Sequence, residues 1–173
     1  MSKKREYYLI DGYNLIHAWQ ELKDEDFSTA REHLINILIE YGAYEKFDIT
    51  LVFDAGSTDE PERSENLNEH FKVIYTAQNV TADNVIERLV YELKKQKKEI
   101  HVVSSDSIIE TMILGAGAYR HPSREFYRAV KRAKNHLRKE FLSNVTLPLV
   151  RSEVGDRLDE KVFEKLEAIR RQK

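Results

Sequence analysis

The sequence predicts an α/β protein, a three-layer α/β/α sandwich around a central, mainly parallel sheet of four to five strands. Two observations carry that expectation. Short β-branched and aromatic runs alternate along the chain with longer segments whose apolar residues recur at helical spacing. The strand-like runs are apolar nearly throughout, the pattern of strands covered on both faces. A third observation bears on organisation. With 173 residues, 41% of them hydrophobic and 10% aromatic, the chain can fill one core but hardly two. One domain over residues 1–173 is expected, with 143–173 a C-terminal loop and helix extension.

Each element has its own signal. Tyr7-Tyr8-Leu9-Ile10 is a buried strand that runs into an Asp11-Gly12 turn. Thr29 with Glu32 three residues later fits a capping box, and Leu34, Ile37, Leu38 and Tyr41 continue it as a helix. Ile49-Thr50-Leu51-Val52-Phe53 is a second strand, stopping at Asp54. Residues 55–69 are rich in Ser, Asp, Glu and Asn and read as a polar loop. Phe71-Lys72-Val73-Ile74-Tyr75 is a more mixed strand, which places it nearer an edge. Thr81 caps a helix carrying Val85, Ile86, Leu89, Val90 and Leu93, and its closing lysines suit the negative end of the helix dipole. Ile100-His101-Val102-Val103 is a fourth strand, followed by a helix with Ile108, Ile109, Met112 and Ile113. Gly115-Ala116-Gly117 then reads as a helix stop and tight turn. A basic helix follows over about 123–141, with Phe126, Val130, Ala133, Leu137 and Phe141 as its apolar stripe. A last helix over about 157–171 would bury Leu158, Val162, Leu166 and Ile169.

Composition removes several function classes. Without cysteine there is no disulfide, thiolate nucleophile or Cys-based metal site. No apolar run approaches the roughly 20 residues of a membrane helix, and the short one after Lys3-Lys4-Arg5 is no secretory signal, so the expected compartment is the cytoplasm and no membrane partner is expected. There is no Gly-x-x-x-x-Gly-Lys segment and no third glycine after Gly115 and Gly117, so no nucleotide or other organic cofactor is expected. The six histidines form no His-x-x-x-His pair, and no Gly-x-Ser-x-Gly elbow occurs.

Carboxylates are what remain. Asp11 and Asp54 each follow directly on an apolar strand, Asp106 stands three residues after Val103, and Asp83 sits in the first turn of a helix. Singly, each is an ordinary turn or cap residue. Together, in a parallel sheet, they gather at the carboxyl edge where such folds bind ligands. Close carboxylates raise one another's pKa unless a cation neutralises them, and hard oxygen donors suit Mg²⁺ or Mn²⁺. Asn14 is placed to orient Asp11 or a bound water, or equally to start a helix.

The net charge of −2 conceals a strong local asymmetry. Residues 120–139 hold Arg120, Arg124, Arg128, Lys131, Arg132, Lys134, Arg138 and Lys139 against one acid, Glu125. Solvated helices usually mix both signs, whereas a single-sign face suits phosphates that displace counterions. Nucleic acid or another polyanion is the partner this window fits, with a plain surface helix as the alternative.

Taken in order, Leu9-Ile10-Asp11-Gly12-Tyr13-Asn14-Leu15-Ile16, Val52-Phe53-Asp54-Ala55, Thr81-Ala82-Asp83, Ser104-Ser105-Asp106 and Gly117-Ala118-Tyr119-Arg120 with Glu125-Phe126 resemble the YacP-like branch of the NYN domain family, within the PIN-like nucleases. The resemblance covers about residues 7–142. It implies a PIN-like sandwich and a metal-dependent endoribonuclease, with Asp11, Asp54, Asp83 and Asp106 as the metal centre and Asn14 beside them. Asp11, Asp83 and Asp106 would be the catalytic carboxylates, and messenger RNA and the ribosome the implied partners. The chain departs from the family pattern at Ile109-Glu110 and at Ser123, which falls one place late after Arg120. A non-catalytic RNA- or ribosome-binding module built on the basic helix is the alternative function. A small-molecule phosphohydrolase is a weaker third.

Overall fold

A computed structural model of the chain describes residues 5–56, 59–96 and 98–144. The helix expected over 157–171 lies outside the described residues. The chain divides into two compact units, Met1–His136 and Leu137–Lys173, and every strand below belongs to the first.

Strands and helices alternate as β1 (Tyr7–Asp11), α1 (Gly12–Ala18), α2 (Gln20–Lys23), α3 (Phe27–Glu45), β2 (Asp48–Phe53), β3 (Arg63–Asn68), β4 (Phe71–Tyr75), α4 (Ala82–Lys95), β5 (Ile100–Val103), α5 (Ser107–Ala116), β6 (Tyr119–His121) and α6 (Ser123–Asn144). They form one sheet in the order β3-β4-β2-β1-β5-β6. All neighbours are parallel except β3, which runs antiparallel to β4. The two faces bury separate cores. Tyr8, Ile10, Leu51 and Phe53 pack with Leu15, Ile16, Leu34 and Leu38 of α1 and α3, together with Phe126 and Val130 of α6. Leu9, Val52 and Val102 pack with Val85, Ile86 and Val90 of α4 and with Ile109 and Ile113 of α5. Apolar residues on both sides of each inner strand are what a covered parallel sheet requires. The expected α/β/α sandwich is therefore the fold.

The expectation of four to five strands was short, because the sheet has six. β3 lies inside the segment read as a polar loop. All of its residues are exposed, so no apolar alternation marks it. Backbone pairing with β4, after a turn in which Asn68 Oδ1 accepts from the His70 N–H at 2.8 Å, makes it a strand. β4 is consequently covered on that side and is not itself the edge. β6 has only three residues, too few for a periodic signal.

Helix ends follow local chemistry. α3 begins one turn before the expected Thr29 box, since Asp26 accepts the Thr29 N–H at 3.0 Å. Thr81 does cap α4, in a reciprocal box with Asn84. Gly117 takes φ 72°, and the Gly117 and Ala118 N–H groups return to the carbonyls of Leu114 and Ile113. That is the Schellman stop, which turns the chain from α5 into β6. In α6 the anticipated stripe is buried at Phe126 and Val130, whereas Leu137 and Phe141, in the second unit, are exposed.

Gly12 has a packing reason for being glycine. A Cβ at this position would lie 2.2 Å from the Phe53 ring, so α1 can follow Asp11 immediately only without a side chain. Gly12→Ala is expected to force Phe53 or α1 aside and to destabilise the fold by about 1–3 kcal/mol, read as a lowered urea midpoint.

Candidate active site

The strand order fixes where the acids lie. β1 is flanked by β2 and β5, so the chain leaves it toward opposite sides of the sheet. A crevice opens beyond the carboxyl ends at such a switch point. Asp11 is the last residue of β1, and Asp54 follows the last residue of β2. Asp106 lies just beyond β5, and Asp83 in the first turn of α4. All four belong to the same edge.

Their surroundings explain their electrostatics. Asp11 is the N-cap of α1 and accepts the Asn14 N–H at 3.0 Å. Burial pushes its carboxyl up to about 6, against the bond from Asn14, and Asp83, Asp54 and Asp106 raise it further. Asp83 is also raised, first by burial and then by Asp106 and Asp54. Asp54 Oδ1 accepts the Ala82 N–H at 2.6 Å, so it sits on the positive end of α4. Asp83 Oδ1 is buried and has no hydrogen-bond partner among the described residues. An orphaned carboxylate oxygen costs about 1–3 kcal/mol unless a further group or ion satisfies it.

Among the described residues, no three Asp, Glu or His side chains stand close enough to close around one ion as placed. Coupling between the aspartates reaches further than coordination does, so the two observations are compatible. A magnesium-type ion keeps several waters and takes only one or two carboxylates directly. The donor set of hard oxygens with an orphaned Oδ1 fits such a water-bridged ion. A tight all-protein cage does not fit.

Asn14 joins three elements at this edge. Its Oδ1 accepts from the Ser105 N–H at 3.0 Å and from the Ser123 hydroxyl, while its own N–H goes to Asp11. The Ser123 N–H in turn donates to Ser105 Oγ at 3.2 Å. One amide thus ties the start of α1 to the loop carrying Asp106 and to the first residue of α6. Asn14 stands in the first turn of α1, with its backbone N–H on Asp11 and its side chain on Ser105 and Ser123.

A family model described as the YacP-like NYN domain matches residues 8–171. The chain belongs to the YacP-like NYN domain family. A curated relative, the uncharacterized protein YacP of Bacillus subtilis (strain 168), is 40% identical over 126 residues, spanning 71% of this chain and 74% of the relative. The crystal structure of Rae1 (YacP) from Bacillus subtilis superposes with a TM-score of 0.70 at 32% identity, covering 96% of this chain and 95% of that one. A tryptophan-to-leucine variant of the same protein gives 0.68 at 32% identity, over 95% and 99% of the two chains. The sandwich described above is thus the PIN-like nuclease fold of this family.

The two departures from the YacP-like NYN pattern resolve differently. Ser123, one place late, is fully buried and its hydroxyl reaches Asn14. Ile109 is buried in the core, and Glu110 pairs with Arg120 Nη1 at 3.3 Å. Sequence reasoning gave no sign of that pair, or of the Ser105 link, because neither follows from chain spacing.

The basic residues divide in the same way. Arg120 is held by Glu110, and Lys131 by Glu21 at 2.7 Å and by the Tyr127 hydroxyl at 2.9 Å. Arg124, Arg128, Arg132 and Lys134 are exposed on α6, which leaves the site from Ser123. Arg138 is exposed in the second unit. Among the described residues no helix is long and apolar enough to cross a membrane.

Proposed function

We propose that this chain is a divalent-metal-dependent endoribonuclease that hydrolyses RNA phosphodiester bonds, with messenger RNA at the ribosome as its setting. One observation carries the reading: four mutually repelling aspartates share one sheet edge, and Asp83 Oδ1 is buried there without a partner among the described residues. Membership of a family with a nuclease fold supports it. The ribosome and messenger RNA rest on the family resemblance alone.

In this reading Asp11, Asp83 and Asp106 hold Mg²⁺ or Mn²⁺ and its waters, and Asp54 steadies the arrangement from the start of α4. Such an ion supplies a bound water of lowered pKa and offsets charge building on the phosphate. The side chains do the positioning. Asn14 keeps Asp11, the Asp106 loop and the start of α6 in register. Arg124, Arg128, Arg132 and Lys134 hold the RNA backbone, and Arg120 and Lys131 join them only by leaving Glu110 and Glu21. Arg138, in the second unit, is proposed separately as a phosphate contact.

The test is cleavage of RNA by the purified protein in Mn²⁺ and in EDTA, with and without ribosomes. Metal-dependent cuts that are lost in Asp83→Asn are expected. An Asp83→Asn protein that cuts as fast as the parent overturns the assignment.

The exposed basic side chains of α6, which can hold phosphates without any metal centre, favour a second reading, a non-catalytic RNA- or ribosome-binding module. It predicts salt-sensitive ribosome co-sedimentation indifferent to the aspartates. Under either reading the basic face is expected to bind through exposed charge. Arg128→Glu with Arg132→Glu should weaken single-stranded RNA binding more than Lys131→Glu, whose charge Glu21 already engages. Each phosphate that the variant no longer neutralises should flatten the salt dependence of log K by about 0.7. Filter binding across a salt series reads both effects.

A further inference from the structure

A cavity of about 400 Å³ adjoins the carboxylate edge, lined by Tyr13, His17, Phe27, Asp54, Ala55 and Gly56. Its aromatic walls have no full account in the folding of the chain. Phe27 opens α3 and is 60% exposed, which forgoes most of what burying a phenylalanine contributes. Tyr13 is instead held firmly. Its ring stands edge-on to Phe53 at 5.2 Å and to Phe27 at 5.6 Å, and Arg31 Nη1 donates to its hydroxyl at 3.2 Å. One rigid ring and one exposed ring thus face a space that shares Asp54 with the candidate active site.

The chemistry of the walls selects what enters. The Asp54 carboxylate repels a phosphate, so the part of a nucleotide that fits is its uncharged, flat base. Aromatic faces stack any base and are tolerant of sequence. Arg31, beside Tyr13 and 6.0 Å from the Tyr75 ring centre, adds positive charge for the attached backbone.

We infer that Tyr13, His17 and Phe27 form a stacking subsite for one unpaired nucleobase of the RNA, next to the phosphate presented to the aspartates. The inference rests on the ribonuclease reading and adds to it a base-binding subsite beside the carboxylate edge. A base within a duplex would first have to leave its stack, at a cost of a few kcal/mol.

Two measurements test it on the full chain. The first is binding of a fluorescent single-stranded RNA pentamer in EDTA, which needs no catalysis. The second is its cleavage in Mn²⁺. Phe27→Ala, at an exposed position, should weaken binding and raise KM by roughly 5- to 100-fold with kcat little changed, the range expected for losing one base stack. Phe27→Trp should restore both. An abasic site moved along the pentamer should weaken binding to the parent at one position, and have no further effect there in Phe27→Ala. Equal binding by Phe27→Ala and parent, or an abasic penalty identical in both, overturns the subsite while leaving the nuclease reading intact. A parent that binds the pentamer through Phe27 but cuts no RNA in Mn²⁺, with or without ribosomes, overturns the nuclease reading and keeps the base-stacking surface. A parent that binds no RNA in EDTA and cuts none in Mn²⁺, with or without ribosomes, overturns both.

Discussion

Asp11→Asn is expected to abolish RNA cleavage and, at the same time, to make the metal-free protein more stable at neutral pH. The two effects share a cause. In the fold this carboxyl is pushed up to about 6 from an ordinary 3.8, mainly by burial. A carboxyl raised by folding favours the folded state while it is protonated. That contribution is complete below 3.8 and is lost as pH rises through about 6. Above that window the ionised group weighs against the fold by about 3 kcal/mol, at about 1.4 kcal/mol for each pH unit of displacement. Asparagine carries no charge and still caps α1, being as good an N-cap as aspartate. Parent and variant should therefore melt alike near pH 4 and diverge as pH rises to 7, where the variant melts several degrees higher. A divalent ion should raise the parent's melting temperature and leave the variant's nearly unmoved. If the parent is the more stable protein at pH 7 without metal, the carboxylate cluster is not the strained, anionic site described here. Because an ion must displace the proton on Asp11, cleavage at sub-saturating metal should also fall as pH drops through about 6, and more metal should move that fall to lower pH.

Asn14→Ala is expected to cost both stability and activity. Asn14 Oδ1 is the acceptor for the Ser105 N–H and for the hydroxyl of Ser123, a residue with no exposed surface. Removing it leaves the buried Ser123 hydroxyl unsatisfied, which costs roughly 1–3 kcal/mol, while the exposed Ser105 N–H turns to water. The larger loss should be catalytic. The loop bearing Asp106, the start of α1 at Asp11 and the start of α6 would no longer be fixed to one amide. Misplacement of reacting groups by about 1 Å can lower a rate on the order of a hundredfold. Asn14→Asp keeps an acceptor but adds a fifth carboxylate, so it should retain more stability than alanine without recovering the rate. Chemical denaturation and single-turnover cleavage separate the two components. A fully active Asn14→Ala protein would show that the three elements need no common anchor.

Much of this architecture was legible in the chain because it rests on local rules. Apolar runs at Tyr8 to Ile10, Ile49 to Phe53 and Ile100 to Val103 could only be strands buried on both faces. Thr81 and Gly117 announced a helix start and stop through chemistry confined to a few residues. β3 was not legible. Its exposed Arg63–Asn68 pairs through backbone atoms, which every residue carries, so side-chain patterning held no trace of it. The start of α3 was misread because Asp26 and Thr29 are both good caps, and which one acts depends on where Ala30 and Leu34 meet the sheet.

The sequence by itself determined the fold class, the family, and the placing of four aspartates at strand ends and a helix start, since burial pattern and strand order follow from residue type and spacing. Only the tertiary structure decided that Asn14, Ser105 and Ser123 share one hydrogen-bond junction, that Glu110 occupies Arg120 and Glu21 occupies Lys131, and that Phe27 stands exposed beside Asp54. Those contacts join residues from about 10 to about 110 positions apart, and no local periodicity encodes which distant side chain a polar group will meet.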